Sequence, residues 1–229
     1  ILIIPLLVCF TQTNADSNIN VVVSIKPYHS LVSGVMFGVS QPKLLLKGNF
    51  SPHRYSMKPS EAKELQYADI IFWGGENLEI FLAKPLSSLS KKAKVVAMPK
   101  ISGLELKYFR HLSNTGKSEN FKSFVSKISN YQFKEQQSAV DPHIWLDPEN
   151  AKVLTNRIVE ILSDFDRENA QKYQRNGEKI NKRLNKMHEH LSLQMKEISD
   201  RAYLVLHDAY QYFESRYQLK RAGSITINM

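Results

Sequence analysis

Seven histidines carry the chain's obvious metal or proton chemistry: His29, His53, His111, His143, His188, His190 and His207. The most constrained is His143, inside Asp141-Pro142-His143-Ile144-Trp145-Leu146-Asp147-Pro148. Each proline fixes its own φ and drives the preceding residue out of the α region, so the backbone under His143 has little freedom. Such a side chain suits metal ligation or proton transfer; a buried histidine satisfied by structural hydrogen bonds is the competing reading. Two more histidines stand apart by position. His53 lies in the loop Gly48-Asn49-Phe50-Ser51-Pro52-His53-Arg54-Tyr55-Ser56, after an expected strand, and His207 ends the run Ala202-Tyr203-Leu204-Val205-Leu206-His207. In open α/β sheets, ligands bind beyond the carboxyl ends of the strands. A cleft there can gather His53, His143 and His207. Three neutral imidazoles suit Zn2+, which accepts nitrogen at about 2.0–2.1 Å and needs one more ligand to be tetrahedral. Their wide sequence separations prove nothing about proximity.

The other four histidines invite plainer readings. His188 and His190 stand two apart on a helical stretch, point in different directions and are expected to face solvent. His111 opens a polar stretch and is expected to be exposed. His29 follows the first expected strand and fits a packing or hydrogen-bonding role.

The elements that must position these side chains alternate along the chain. Residues 19–26, 43–47, 69–74 and 94–98 are short apolar runs bounded by turn signals, and several are rich in β-branched residues. They fit buried parallel strands. Helical stretches at 28–37, 59–67 and 77–90 separate them, as right-handed crossovers do. Asp147 fits an N-cap with Pro148 at the first helical position of a helix over 148–162. Residues 111–140 are dominated by Ser, Asn, Lys and Gln and read as a surface loop. From 166 to 199 there is no proline and only Gly177. Apolar residues recur there at Tyr173, Ile180, Leu184, Met187, Leu191, Met195 and Ile198. That is one long amphipathic helix, expected to connect two lobes rigidly. A strand at 202–207, a helix over 208–217 and a strand at 224–227 follow. The expected fold is therefore α/β: two lobes of parallel sheet flanked by helices, 19–165 and 200–229, joined by the helix 166–199. Two strands and one helix cannot cover both faces of a second sheet, so the second lobe is expected to be incomplete and the chain a fragment of a longer one.

Composition narrows the partners. The 229 residues carry a formal net charge of +9, but basic residues are scattered among acids and no aromatic-basic nucleic-acid motif occurs. A solvated surface is expected, not a nucleic-acid interface. Ile1 to Phe10 is almost wholly apolar and Thr11 to Ala15 follows, as in the remnant of a secretory signal cut after Ala15. The run is too short to span a membrane. An exported, periplasmic or otherwise extracytoplasmic protein is expected. Cys9 is the single cysteine. Val8 before it is bulkier than lipid-anchor processing prefers, so a lipid anchor is not expected, and a chain cut at Ala15 has no disulfide.

Three segments together resemble the zinc-uptake substrate-binding proteins of bacterial ABC transporters: Asp141–Pro148, Ser51-Pro52-His53-Arg54-Tyr55-Ser56-Met57-Lys58-Pro59-Ser60, and His207-Asp208-Ala209-Tyr210-Gln211-Tyr212-Phe213. The match runs in order from about residue 20 to the end. The resemblance implies two α/β lobes joined by one long helix, with a metal in the cleft between them. It implies ligation by His53, His143 and His207, and delivery of Zn2+ to a membrane ABC permease by a monomer without catalysis. Manganese-binding relatives usually carry a carboxylate at the third position, so histidine there favours Zn2+ over Mn2+. Asp141 and Asp147 are expected to fix the loop, and Asp208 to start the helix after His207. The sequence departs from the family at Pro52, where members often have an acidic residue. It departs again in 111–140, which holds one histidine where many members have a metal-collecting loop, and at its end, which the family passes. Two alternatives stay open: a non-functional truncated remnant, and a zinc hydrolase or lyase using three histidines and an activated water.

Overall fold

Val21–Val23 (β1), Lys43–Leu44 (β2), Ile70–Trp73 (β3) and Lys94–Ala97 (β4) form a parallel sheet in the order β2-β1-β3-β4. These are the four runs expected from the sequence, each shorter than its apolar stretch. The computed structural model describes residues 19–48, 50–110 and 139–226. Every side chain of β1 and β3 is buried, which is why both strands are continuously apolar and do not alternate. Val21, Val22 and Val23 sit in register with Ile70, Ile71 and Phe72. The connections are the helices Lys26–Val35 (α1), Pro59–Gln66 (α2) and Ile80–Leu89 (α3). With β1 central and β2 and β3 on either side of it, the crevice beyond the carboxyl ends of β1 and β3 is the natural place for a ligand. The helix expected from 77 begins only at Ile80. Leu78 and Glu79 donate their N–H groups to the Gly75 carbonyl in a turn, and Gly75 has φ +84°, which glycine adopts without strain.

Pro148–Phe165 (α4) starts as the sequence reads: the Asp147 carboxylate accepts the Glu149 N–H, and Pro148 occupies the first turn. It buries Leu154, Ile158, Ile161 and Leu162 in the main core. The long helix does not run unbroken from 166. Asp166 leaves helical geometry at φ −129°, a 3-10 turn covers Arg167–Asn169, and Ala170–Lys196 (α5) follows. Its 27 residues extend about 40 Å. Its first half packs on α1 and α4. Tyr173 and Gly177 are buried there, whereas Met187 and Leu193 are exposed farther along. Gly177 is required by the close approach: a Cβ there would lie 2.5 Å from Val159 Cγ2. Asn176 donates Nδ2–H bonds of 2.9 Å to the carbonyls of Val35 and Phe37, supplying partners to the end of α1.

Beyond α5, Tyr203–His207 (β5) and Arg221–Thr226 (β6) pair in parallel around Gln211–Arg216 (α6). This helix starts at Gln211, not at Asp208, because the Asp208 carboxylate is engaged by Arg110 and Arg221. Tyr212 of α6 is fully buried and belongs to the main core. Lys107 to Phe109 meets Ala139 to Asp141 in a short antiparallel bridge, so the polar stretch begins and ends at one point and its last two residues are not loop. Residues 111–138, with His111, and the expected leader over 1–15, with Cys9, lie outside the described residues. Among the described residues no helix is long and apolar enough to cross a membrane.

Candidate metal centre

His53 sits in a 3-10 turn, Pro52–Arg54, reached from the end of β2. His143 precedes a second 3-10 turn, Ile144–Leu146, in the proline-bracketed loop before α4. His207 is the last residue of β5. These three distant residues converge. Ring centroids are 5.9 Å apart for His53 and His143, 5.7 Å for His53 and His207, and 5.3 Å for His143 and His207. One nitrogen from each ring lies within 4.8 Å of the other two. Around a tetrahedral zinc with bonds of about 2.0–2.1 Å the nitrogens stand about 3.3 Å apart, so modest ring rotations close the spread.

The polar bookkeeping of the rings matches a cation site. Both nitrogens of His207 are shut off from solvent, and neither has a hydrogen-bond partner. Leaving a buried acceptor unsatisfied costs about 1–3 kcal/mol, a cost that a coordinated cation removes. His143, only 6% exposed, is fixed from behind. Asp141 Oδ1 lies 2.7 Å from its Nδ1 and accepts its main-chain N–H at 2.9 Å. A carboxylate at Nδ1 holds the proton there and leaves the Nε2 lone pair free, the arrangement in which a histidine ligates metal. Trp145 stands edge-on to His143 at 5.3 Å, and Tyr28 to Trp145 at 5.4 Å, forming an apolar wall.

Electrostatics favour neutral rings. Burial, then the proximity of His143 and His207, lowers the His53 pKa to about 4. Burial and His143 also lower that of His207, against the opposing pull of Asp208 and Asp141. Protons therefore compete weakly for both lone pairs at neutral pH. The sign for stability follows from linkage. Between about 4 and 6.5 an unfolded His53 binds a proton that the folded one does not, so its contribution falls as pH falls through that window. Glu79, fully buried and raised to about 7 by burial, acts in the opposite sense between its unfolded value and 7. The histidine term is thus read by difference. The urea midpoint of the zinc-free chain is expected to fall relative to that of His53→Asn as pH drops from 7 to 4.5; a constant gap would contradict the lowered pKa.

The remaining histidines divide. His29 Nε2 lies 3.0 Å from the Pro42 carbonyl and its Nδ1 3.3 Å from Ser33 Oγ, the hydrogen-bonding role expected of it. His190 is exposed. His188 is half-buried, not solvent-facing, with Nδ1 3.2 Å from the Tyr217 hydroxyl, because α5 passes beside the end of α6.

Sequence reasoning missed the side chains that seat α6 against the rest of the site. Arg110 donates to Asp208 at 2.5 Å and to Glu214 at 2.6 Å. Arg216 grips both oxygens of Asp147 at 2.8 and 2.6 Å and reaches Glu105 at 3.2 Å. The Tyr212 hydroxyl donates to the Asp141 carbonyl at 2.8 Å and accepts the Lys107 N–H at 2.9 Å. Gln211 donates to the Tyr108 carbonyl at 3.0 Å and to Asp141 Oδ2. The sequence signal was limited to the positions of Gln211 and Tyr212 just after His207. Asp147 and Asp141 do act as loop-fixing groups, and both also bind α6.

The sequence profile described as "Zinc-uptake complex component A periplasmic", ZnuA, matches residues 21–228. A high-affinity zinc uptake system protein ZnuA from Brucella abortus (strain 2308) is 38% identical over 225 residues, covering 91% of this chain and 67% of that protein. One from Haemophilus ducreyi is 30% identical over 233 residues, covering 100% of this chain and 72% of that protein. A zinc-bound deletion mutant of ZnuA superposes with TM-score 0.76 at 20% identity, covering 93% of this chain and 71% of the other. Zn(II)-bound AdcA from Streptococcus pneumoniae gives 0.71 at 19% identity, over 92% and 40%. The structural likenesses establish the fold, and the profile and the sequence relatives establish the family: this chain belongs to the zinc-uptake component A proteins, ZnuA.

Proposed function

We propose that this protein captures Zn2+ outside the cytoplasm and delivers it to an ABC permease. In this reading one ion is held by His53, His143 and His207 as cargo. The observation that carries the proposal is the convergence of three imidazoles on one point, with both His207 nitrogens buried and unpartnered. An all-nitrogen, uncharged donor set suits Zn2+ better than Mn2+, which favours carboxylate oxygen. Residues 19–165 form one lobe and supply His53 and His143. The segment from 200 onward belongs to a second lobe and supplies His207, and the 166–199 segment links them. Approach of the two closes the three imidazoles around the ion, and water leaves the cleft. Delivery requires lower affinity in the permease-docked state than in the free one, which separating the lobes provides.

A hydrolase is disfavoured by the same geometry. The carboxylate in contact with His143, that of Asp141, has Oδ1 on that ring and Oδ2 on Gln211, so it is not free to act as a general base. The protein is proposed to be monomeric, with no nucleic-acid partner. Competitive Zn2+ titration of the metal-free chain against a chromophoric chelator tests the proposal. One tight equivalent is expected, with Mn2+ failing to displace it. Weak or multiple binding would leave the three-histidine cluster without this function.

A further inference from the structure

Asp141 is 1% exposed, and its two oxygens face two different parts of the chain. Oδ1 accepts from His143, beside it in sequence. Oδ2 accepts from the amide of Gln211, the first residue of α6 and a close follower of His207. Gln211 is itself buried and is held by a second bond to the Tyr108 carbonyl. The amide thus fixes the carboxylate plane, and the carboxylate fixes the imidazole. We propose that Gln211 is a positioning residue for metal capture: acting through Asp141, it holds His143 with its proton on Nδ1 and its Nε2 lone pair presented, so that this ligand is ready only while the segment bearing His207 is seated.

This inference rests on the three-histidine reading above and adds a coupling to it. Two imidazoles from separate parts of the chain become competent together, because one hydrogen-bonded path joins α6 to the His143 ring. When α6 moves away, His143 loses its orientation as the ion loses His207, and release is concerted. Tyr212 makes the role of Gln211 separable. Its hydroxyl holds the Asp141 main chain from the same helix, so replacing Gln211 removes the grip on the carboxylate while the backbone anchor stays.

The test uses the full chain with Gln211→Leu, which keeps volume and removes the donor, and Gln211→Glu, which keeps shape and opposes Asp141 with a second carboxyl. Nitrogen-15 spectra of the zinc-free protein read the His143 tautomer, and transfer of Zn2+ to excess chelator reads the release rate. The parent is expected to show His143 protonated on Nδ1. Both variants are expected to show mixed tautomers, with release faster by about 10–100-fold, the usual effect of losing a group behind a metal-ligating histidine. An unchanged tautomer with release within about twofold of the parent overturns the proposal. If Gln211→Leu fails to fold, Gln211→Glu carries both readouts. If the parent binds no zinc, the functional reading fails, and the zinc-free spectra still decide the role of Gln211.

Discussion

Replacing His143 with alanine is expected to abolish tight zinc capture, weakening it by about 100-fold or more. Zinc sites built from several protein ligands yield about 10–16 kcal/mol in total, so one of three imidazoles is worth at least about 3 kcal/mol, and each 1.4 kcal/mol is tenfold. Of the three proposed ligands, His143 is the one whose loss is expected to be hardest to compensate locally. It is buried, its orientation is imposed by Asp141, and Trp145 occupies the adjacent space. His190→Ala on the exposed side of α5 is the matched control and is expected to leave the titration unchanged. Equal affinity in both variants would place zinc elsewhere on the chain.

Arg110→Met is expected to destabilise the fold by about 3 kcal/mol, and to weaken zinc binding as a consequence. The Glu214 side chain is 4% exposed and receives Arg110 at 2.6 Å. Without that guanidinium, the remaining cation beside Asp208 and Glu214 among the described residues is the more distant Arg221, at 3.6 and 3.8 Å. Breaking a buried pair by removing one partner typically costs about 3–5 kcal/mol because the remaining charge is stranded. The cost is therefore expected to shrink when Glu214→Leu is added to Arg110→Met. Urea unfolding of the two variants checks this. A loss below about 1 kcal/mol for Arg110→Met would class the contact with ordinary surface ion pairs.

Much of the fold was legible because its signals are local. β1 and β3 are buried on both faces and hence uniformly apolar, and Asp147-Pro148 announces the start of α4 as a cap and a fixed φ do. The start of α5 was not legible to the residue: a helix was expected from 166, but Asp166 and the 3-10 turn Arg167–Asn169 delay it to Ala170, and the apolar spacing, which begins at Tyr173, does not mark that delay. The start of α6 was misplaced for a different reason. Asp208 has the chemistry of a cap but is held by two arginines, one of them far upstream. Of the site, His53, His143 and His207 could be singled out by loop stiffness and by strand ends, and the motifs resembling a known family grouped them. Gln211, Arg110 and Arg216 could not be found in this way. A hydrogen bond or ion pair between residues about a hundred positions apart leaves no periodicity, and each of the three side chains looks alone like a solvated surface residue. His188 was misread on the same grounds, since Tyr217 reaches it only through the fold.

The most direct test of the three-histidine site is X-ray absorption at the zinc edge of the chain loaded with one equivalent of Zn2+. The expected spectrum shows three imidazole nitrogens at about 2.0–2.1 Å with the outer-shell scattering of histidine rings, reduced to two in His207→Ala. A shell of oxygens without imidazole scattering, or a spectrum unchanged in that variant, would contradict ligation by His53, His143 and His207.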